Sequence, residues 1–439
     1  MKPVGTFLVS LAIKSVRVEA LEVRALLWSF SYFFALLCSY YMIRPLRDEM
    51  GILGGVENLQ WLFSGTLLAM TAAIPLFGWV SSRYPRRQFL PYIYSFFIFM
   101  LLLFYILMRQ QDIPLNVARA FFIWTSVFNL FVVSVFWSFM TDLFNNEQAR
   151  RLFGFIAAGG SVGAITGPAL TALLVQPLGN HNLLPVSALF LAWSLVCINR
   201  LANWSDSNPN AVDQTPQTEP EQPIQGSVWS GITLVVRSPY LLGIGLLMIL
   251  FTTLATFLYL MQAQIIRDAF VDSDQRTAVF AAIDLAVNTL TLLVQIFFTS
   301  RLIRWLGLPL VLALVPLVLA VGFLLLGISP LLSILLLVQV IRRAGNYALM
   351  RPAREMLYVV LSREEKYRAK NVIDTVVYRL GDAVSAWIYT GMRSLGLGLS
   401  AIAFIAVPLA LIWAWIAFGL GKKQEKLAFN KPISKVKST

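Results

Sequence analysis

Residues 308–328, LPLVLALVPLVLAVGFLLLGI, form an uncharged apolar run in the second half of the chain. A helix of about 20 apolar residues spans the hydrocarbon of a bilayer, so this run predicts a membrane-spanning helix. Similar runs recur along nearly all of the 439 residues, of which only 13% are charged, and the mean hydropathy is +0.72. The sequence therefore predicts an all-α integral membrane protein.

Twelve spans are predicted in two sets of six, separated by the polar stretch 203–227, NWSDSNPNAVDQTPQTEPEQPIQGS. This stretch has the composition of a flexible linker, because it offers almost no apolar side chain to bury. The spans are 26–43, 57–80, 89–108, 120–140, 153–175, 183–199, 241–262, 278–298, 308–328, 331–350, 371–392 and 399–420. The predicted parts are an interfacial helix (1–25), a six-helix bundle (26–202), a cytoplasmic linker (203–227), a second six-helix bundle (228–420) and a basic cytoplasmic tail (421–439).

The net charge of +13 is explained by membrane topology rather than by a nucleic-acid partner. Of the 35 Lys and Arg residues, 25 fall on the side of the two termini, 7 on the opposite side and 3 within spans. Cytoplasmic loops are enriched in Lys and Arg, so both termini are predicted in the cytoplasm. We expect a multi-pass protein of the bacterial inner membrane that functions as a monomer.

The residue types that carry enzymatic or metal chemistry are sparse. Cys38 and Cys197 lie in apolar runs, and His181 is the single histidine. They form no group with metal-ligand spacing, and the chain has no Walker loop for ATP. The sequence therefore predicts no metal, no cofactor and no enzymatic activity.

Polar residues match at one offset of 218 residues, which indicates a duplication. Tyr41 matches Tyr259, and the remaining matches are Ser82, Arg83, Pro91, Glu147, Arg150 and Gly163 with Ser300, Arg301, Pro309, Glu365, Arg368 and Gly381. The two repeats are parallel, because each has six spans and enters the membrane from the same side. Two parallel six-helix repeats joined by a cytoplasmic linker resemble the architecture of major facilitator transporters.

Two motifs agree with this resemblance. Residues 78–87, GWVSSRYPRR, are similar to the facilitator loop signature, although Ser82 replaces its acid and Pro85 its second glycine. Residues 163–168, GAITGP, are similar to the glycine-proline signature of facilitator antiporters. A basic cytoplasmic loop and close packing of small residues are the alternative interpretations.

A narrower resemblance links the chain to the ATP/ADP translocases of plastids and intracellular bacteria. It rests on Tyr41–Asp48 (YMIRPLRD), on Phe136-Trp137 and on Ala369–Asp374 (AKNVID). The resemblance places Arg47 where these proteins have a substrate-binding lysine. Two positions depart from it: Thr125 lies near the place of their helix-4 acid, and Asp382 replaces a lysine.

Polar side chains lie on single faces of several spans, which predicts a central cavity lined by them. The predicted substrate-binding residues are Arg44, Arg47, Tyr259, Gln262, Asn288, Arg342, Arg343, Asn346 and Tyr378. The residues predicted for ion coupling or gating are Asp284, Asp374, Arg379 and Asp382. A cytoplasmic gate is predicted from Arg83, Arg86, Arg301, Glu147 and Arg150.

Guanidinium groups match carboxylates and phosphates, so these arginines indicate an anionic substrate. The alternative is that the intramembrane arginines pair with the acids purely as structure, and Arg379 has Asp382 three residues on. The predicted function is a secondary active transporter of a small organic anion working by alternating access. A transporter of a siderophore, lipid or hydrophobic compound, and a non-transporting sensor or scaffold, remain alternatives.

Overall fold

The computed structural model describes residue 19 and residues 22–83, 86–110, 113–207 and 228–430. Within these ranges the regular secondary structure is entirely helical. The helices are α1 (Val23–Leu53), α2 (Leu59–Arg83), α3 (Arg86–Met108), α4 (Leu115–Leu143), α5 (Asn146–Leu178), α6 (Leu183–Ser207), α7 (Val228–Arg237), α8 (Pro239–Ala269), α9 (Ser273–Phe297), α10 (Thr299–Ile328), α11 (Leu332–Gly345), α12 (Arg351–Leu357), α13 (Arg363–Asn371), α14 (Tyr378–Ser394) and α15 (Leu399–Phe429). Most of the predicted interfacial helix and most of the predicted linker lie outside the described residues.

Two π-helical segments join four of these helices into two longer rods. Asn346–Met350 connects α11 to α12, and Val372–Val377 connects α13 to α14. Nine of the described helices are long and apolar enough to cross a membrane. Together with α2 and the two composite rods they account for the twelve predicted spans, so the predicted all-α membrane fold is confirmed.

Helix α1 extends ten residues beyond the predicted span 26–43 and ends at Leu53. The extension contains the charged run Arg44–Glu49 together with Pro45, which removes one backbone hydrogen bond. The helix continues because the charged side chains in this run have partners: Arg44 pairs with Asp284, Arg47 with Asp48 and Glu49 with Arg276. Charge therefore does not end this membrane helix, since each charge is neutralised where it lies.

The chain divides into two compact units. Unit 1 contains Met1–Asn58, Ser64–Glu219 and Phe270–Asn288, and unit 2 contains Leu59–Phe63, Pro220–Ala269 and Thr289–Thr439. The core of unit 1 is aromatic: the ring of Phe33 stacks on that of Phe136, with centroids 4.2 Å apart. The first part of α9 thus clusters with unit 1, although it follows the linker in sequence.

Equivalent glycines bring helices together in the two units. In unit 1, α5 approaches α1 so closely that a Cβ on Gly163 would overlap the carbonyl oxygen of Phe34. In unit 2, a Cβ on Gly381 of α14 would overlap the hydroxyl of Thr252 in α8. Phe34 and Thr252 are related by the same 218-residue offset as the two glycines, so the sequence duplication reappears as the same contact inside each unit.

Candidate functional site

Arg44 and Asp284 form an ion pair inside unit 1. The Arg44 Nη1 lies 3.4 Å from Asp284 Oδ1, and the Asp284 residue is only 1% exposed. The guanidinium also lies 5.7 Å from the centroid of the Tyr41 ring. The contact is longer than the 2.7–2.9 Å typical of strong charge-assisted hydrogen bonds. A partly accessible arginine thus lies beside a buried carboxylate.

Arg47, one turn further along α1, makes different contacts. Its Nη1 lies 3.0 Å from Asp48 Oδ1, and its guanidinium carbon lies 3.9 Å from the centroid of the Phe122 ring in α4. The Nε also donates to the carbonyl oxygen of Phe122 at 3.4 Å. The structure therefore places Arg44 against α9 and Arg47 against α4.

Asn288, a predicted substrate-binding residue, donates through its amide nitrogen to the backbone of α5. The acceptor is the carbonyl oxygen of Ala164, at 2.6 Å. In a regular helix this carbonyl would accept from the residue four positions on, which is Pro168 and has no N–H. Asn288 supplies the donor that Pro168 lacks.

In unit 2, Gln262, Gln339 and Arg342 form a hydrogen-bonded chain between α8 and α11. The Gln339 amide nitrogen donates to the Gln262 side-chain oxygen, and Arg342 Nε donates to the Gln339 side-chain oxygen at 3.1 Å. Both glutamines are buried. The neighbouring Arg343 is 7% exposed. This chain fixes one edge of the Arg342 guanidinium within the unit.

A second polar group in unit 2 lies on α14. Arg379 pairs with Asp382 at 3.9 Å, as the spacing of three residues predicts, and Thr256 donates to Asp382 at 3.4 Å. Tyr378 lies within electrostatic range of Asp382, Arg379, Tyr347 and Arg342. Predicted residues of α11 and α14 are thus brought together.

The other predicted unit 2 residues lie outside this polar group. The ring of Tyr259 meets that of Phe63 edge-on, with centroids 5.6 Å apart. Asn346 is the first residue of the first π-helical segment. Asp374 lies in the second segment and pairs with Arg354 of α12 at 3.4 Å. Beside this pair, burial raises the pKa of the Tyr358 phenol above its usual value, and the Asp374 charge adds to the effect.

The residues predicted as a cytoplasmic gate lie at helix ends. Arg83 ends α2, Arg86 begins α3, and Arg83, Arg301, Glu147 and Arg150 are exposed. Their neighbours Gln148 and Arg151 bind instead to Glu22, which is 2% exposed. The Arg151 guanidinium reaches both carboxylate oxygens, at 2.9 and 3.2 Å, and the Gln148 amide donates at 3.0 Å.

Three charged residues with close contacts do not stand out in the sequence. Glu22 precedes the predicted spans, Glu49 follows the predicted end of span 1, and Arg276 precedes the predicted span 278–298. For Glu22, the sequence contains one signal: the capping box at the start of α5, in which Asn145 and Gln148 exchange hydrogen bonds, because Gln148 also binds Glu22.

Among the described residues, no group of three or more His, Cys, Asp and Glu side chains could hold a metal ion.

Comparison with known proteins identifies relatives of the chain. The family model described as Major Facilitator Superfamily matches residues 23–370. "ADP,ATP carrier protein 1" of Chlamydia muridarum (strain MoPn / Nigg) is 24% identical over 332 residues, which cover 68% of this chain and 63% of the relative. "ADP,ATP carrier protein 2" of Chlamydia pneumoniae is 19% identical over 467 aligned positions, covering 88% of this chain and 86% of the relative. The chain spans less than two thirds of the length of the first of these relatives.

Solved transporter structures share the fold. The crystal structure of the nucleoside transporter NupG superposes with a TM-score of 0.61 at 13% identity, covering 93% of this chain and 99% of that one. A bacterial homologue of the iron transporter ferroportin in the inward-facing state gives a TM-score of 0.61 at 13% identity, covering 92% and 98%. At these identities the likeness extends to the fold alone.

Proposed function

The chain belongs to the major facilitator superfamily, and we propose that it is a secondary active transporter of a small organic anion. The proposed mechanism is alternating access, in which the substrate site opens to one side of the membrane at a time. We place the protein in the bacterial inner membrane with both termini in the cytoplasm, acting as a monomer. The excess of Lys and Arg on the side of the termini supports this orientation.

The observation that carries the proposal is the Arg44–Asp284 pair. A charged side chain that is buried in a membrane protein is costly, so such residues are usually paired or line a path for a polar substrate. Arg44 is partly accessible, and its contact with Asp284 measures 3.4 Å. A substrate carboxylate or phosphate could take the place of Asp284, because the guanidinium fork binds either group through two parallel hydrogen bonds.

Unit 2 contains, within itself, further groups that can bind an anion. Arg342, held through Gln339 and Gln262, offers a fixed guanidinium, and Arg343 lies beside it. We include Arg47 among the proposed substrate-binding residues, because the resemblance to the ATP/ADP translocases places it where those proteins have a substrate-binding lysine. We assign coupling or gating to Asp284, Asp374, Arg379 and Asp382, because each of these side chains takes part in an ion pair.

A nucleotide is the first substrate class to test. The Chlamydia relatives carry the name ADP,ATP carrier, and exchange of one anion for another would make the protein an antiporter. Thr125 and Asp382 depart from the translocase pattern, so phosphorylated metabolites and carboxylates belong in the same test.

The proposal is tested first by ligand stabilisation of the purified protein in detergent. Nucleotides, phosphorylated metabolites, carboxylates, siderophores and hydrophobic compounds are compared by thermal unfolding. A true ligand at a hundred times its dissociation constant stabilises the folded state by about 2.7 kcal/mol. The anion that stabilises most is then followed in liposomes loaded with unlabelled anion, where exchange is expected to accumulate labelled anion. Stabilisation by siderophores or hydrophobic compounds, with no response to any anion, would reject the anion assignment.

A further inference from the structure

Glu49 and Arg276 form a tightly bonded ion pair in unit 1. The two Glu49 carboxylate oxygens receive hydrogen bonds from Arg276 Nη2 at 2.7 Å and Arg276 Nε at 2.8 Å. Glu49 is 0% exposed and Arg276 is 6% exposed. Paired hydrogen bonds of this length are the strongest geometry available to an arginine and a carboxylate.

The surrounding groups complete the bonding of this pair. The Ser273 hydroxyl donates to Glu49 Oε1 at 2.8 Å. Arg276 Nη1 donates to the carbonyl oxygens of Phe270 and Val271 at 2.9 and 2.8 Å. The turn before α6 joins the network, since the Asn180 amide donates to Ser273 Oγ at 2.8 Å. A buried ion pair is favourable only when its remaining donors and acceptors are bonded, and here they are.

The same two helices, α1 and α9, also carry Arg44 and Asp284. Arg44 and Glu49 are separated by about 7.5 Å along the axis of α1, and their partners Asp284 and Arg276 by about 12 Å along the axis of α9. The partner of the later residue in α1 is the earlier residue in α9. The two helices therefore run antiparallel, and two ion pairs at different positions along their axes connect them. The Glu49–Arg276 contact is bidentate and short, whereas the Arg44–Asp284 contact is 3.4 Å long.

We propose that Glu49 and Arg276 are positioning residues: in the conformation of this structure they clamp the end of α1 to the start of α9 and thereby set the separation of Arg44 and Asp284. The inference rests on the proposed anion site only for its effect on transport, because the clamp itself is a property of the two helices. The tight pair holds the helices together beside Arg44 and Asp284, the two residues at which the proposed anion would bind.

The clamp is tested without any substrate by thiol labelling. Cys38 and Cys197 are replaced by Ala, and Ala281→Cys places a thiol on α9 between the two pairs, at a position that is 0% exposed. Labelling with N-ethylmaleimide is expected to be slow. Glu49→Gln should accelerate it by about tenfold or more, because local opening sets the rate at a buried site. An unchanged labelling rate in Glu49→Gln would overturn the proposal.

Glu22→Gln is the matched control. Glu22 is also a buried carboxylate bonded by two nitrogens of an arginine, Arg151, but it lies at the other end of α1. Its replacement should leave the labelling rate of the thiol at position 281 unchanged. Should Glu49→Gln fail to fold because Arg276 is left buried without its counter-charge, the double variant E49Q/R276Q removes both charges, and the same acceleration is expected from it.

Transport by the intact chain supplies the second readout. Glu49→Gln should raise the KM for the anion several-fold with a smaller change in kcat, and Arg276→Lys should give an intermediate KM, since it keeps the charge and loses the fork. A lowered thermal stability with unchanged KM and unchanged labelling would make the pair structural only and reject the proposal. If the unaltered protein transports no anion, the proposed function fails, while the labelling result still decides the clamp.

Discussion

The Asn288 amide donates a hydrogen bond to the carbonyl oxygen of Ala164, the acceptor that Pro168 leaves without its helical donor. A related arrangement exists in unit 2, where the Thr299 hydroxyl donates to the carbonyl oxygen of Ala348 at 2.9 Å, four residues before Pro352. Proline removes a backbone donor from a helix, and neighbouring polar side chains in membrane proteins often replace it.

This relationship predicts that Asn288→Ala lowers stability through α5 rather than through the substrate site. The variant should lose about 1–3 kcal/mol, because a buried carbonyl is left without a donor. Pro168→Ala restores an N–H at that position, so the double variant N288A/P168A should lose less than N288A alone. Thermal unfolding of the four proteins measures the coupling. If Asn288→Ala lowers the stability of the Pro168→Ala protein as much as it lowers that of the unaltered protein, Asn288 does not replace the donor that Pro168 lacks.

Arg44 is predicted to bind the anionic group of the substrate. Arg44→Ala should weaken the apparent affinity for the anion by about thirtyfold or more, since removing one partner of a buried charged contact costs about 2–5 kcal/mol. Arg44→Lys should be intermediate because it keeps the charge and loses the fork. Concentration dependence of exchange in liposomes measures both effects. Arg267→Ala is the control, because Arg267 pairs with the exposed Asp268 and its replacement should leave affinity unchanged.

The two equivalent glycines should both lose stability when replaced by alanine, but only one of the losses should be relieved by a second substitution. Both Gly163→Ala and Gly381→Ala should cost about 1–3 kcal/mol, because each added methyl overlaps a neighbouring helix. Thr252→Ala should relieve part of the cost at position 381, where the overlapping atom belongs to a side chain. No such relief exists at position 163, where the atoms are those of the α1 backbone. Thermal stability of the single and double variants checks this contrast, and a G381A/T252A protein no more stable than G381A would contradict it.

The distribution of Lys and Arg predicts the topology. A reporter fused after Lys437 is expected to be active in the cytoplasm, and one fused after Asn182, between α5 and α6, on the opposite side of the membrane. A pair of reporters, one active in the cytoplasm and one in the periplasm, measures this directly. Finding both positions on the same side would contradict the arrangement of twelve spans.

The sequence predicted the helices well because their signal is local. Apolar runs gave the twelve spans, and a spacing of three residues gave the Arg379–Asp382 pair. It did not predict which acid meets which arginine across helices. Periodicity shows which face of a helix is polar, but not which neighbour it meets, so the pairing of Arg44 with Asp284 emerged only from the packing of α1 and α9.

The π-helical segments explain a second difference. In a regular α-helix Asp374, Tyr378 and Asp382 would lie on one face, because they are spaced four residues apart. The segment Val372–Val377 adds a residue to the turn and shifts the phase of what precedes it. Asp374 accordingly pairs with Arg354, while Asp382 meets Arg379 and Thr256. Spacing alone cannot reveal such a shift.

The placement of Phe270–Asn288 in unit 1 has a consequence for complementary fragments of the protein. A fragment that stops at the polar stretch after α6 would contain Arg44 and Glu49 but neither Asp284 nor Arg276. The buried Glu49 of α1 would then lack Arg276, and breaking a buried pair costs about 3–5 kcal/mol. We therefore expect co-expressed fragments to be recovered bound to each other, because the second fragment supplies the charge that the first one lacks.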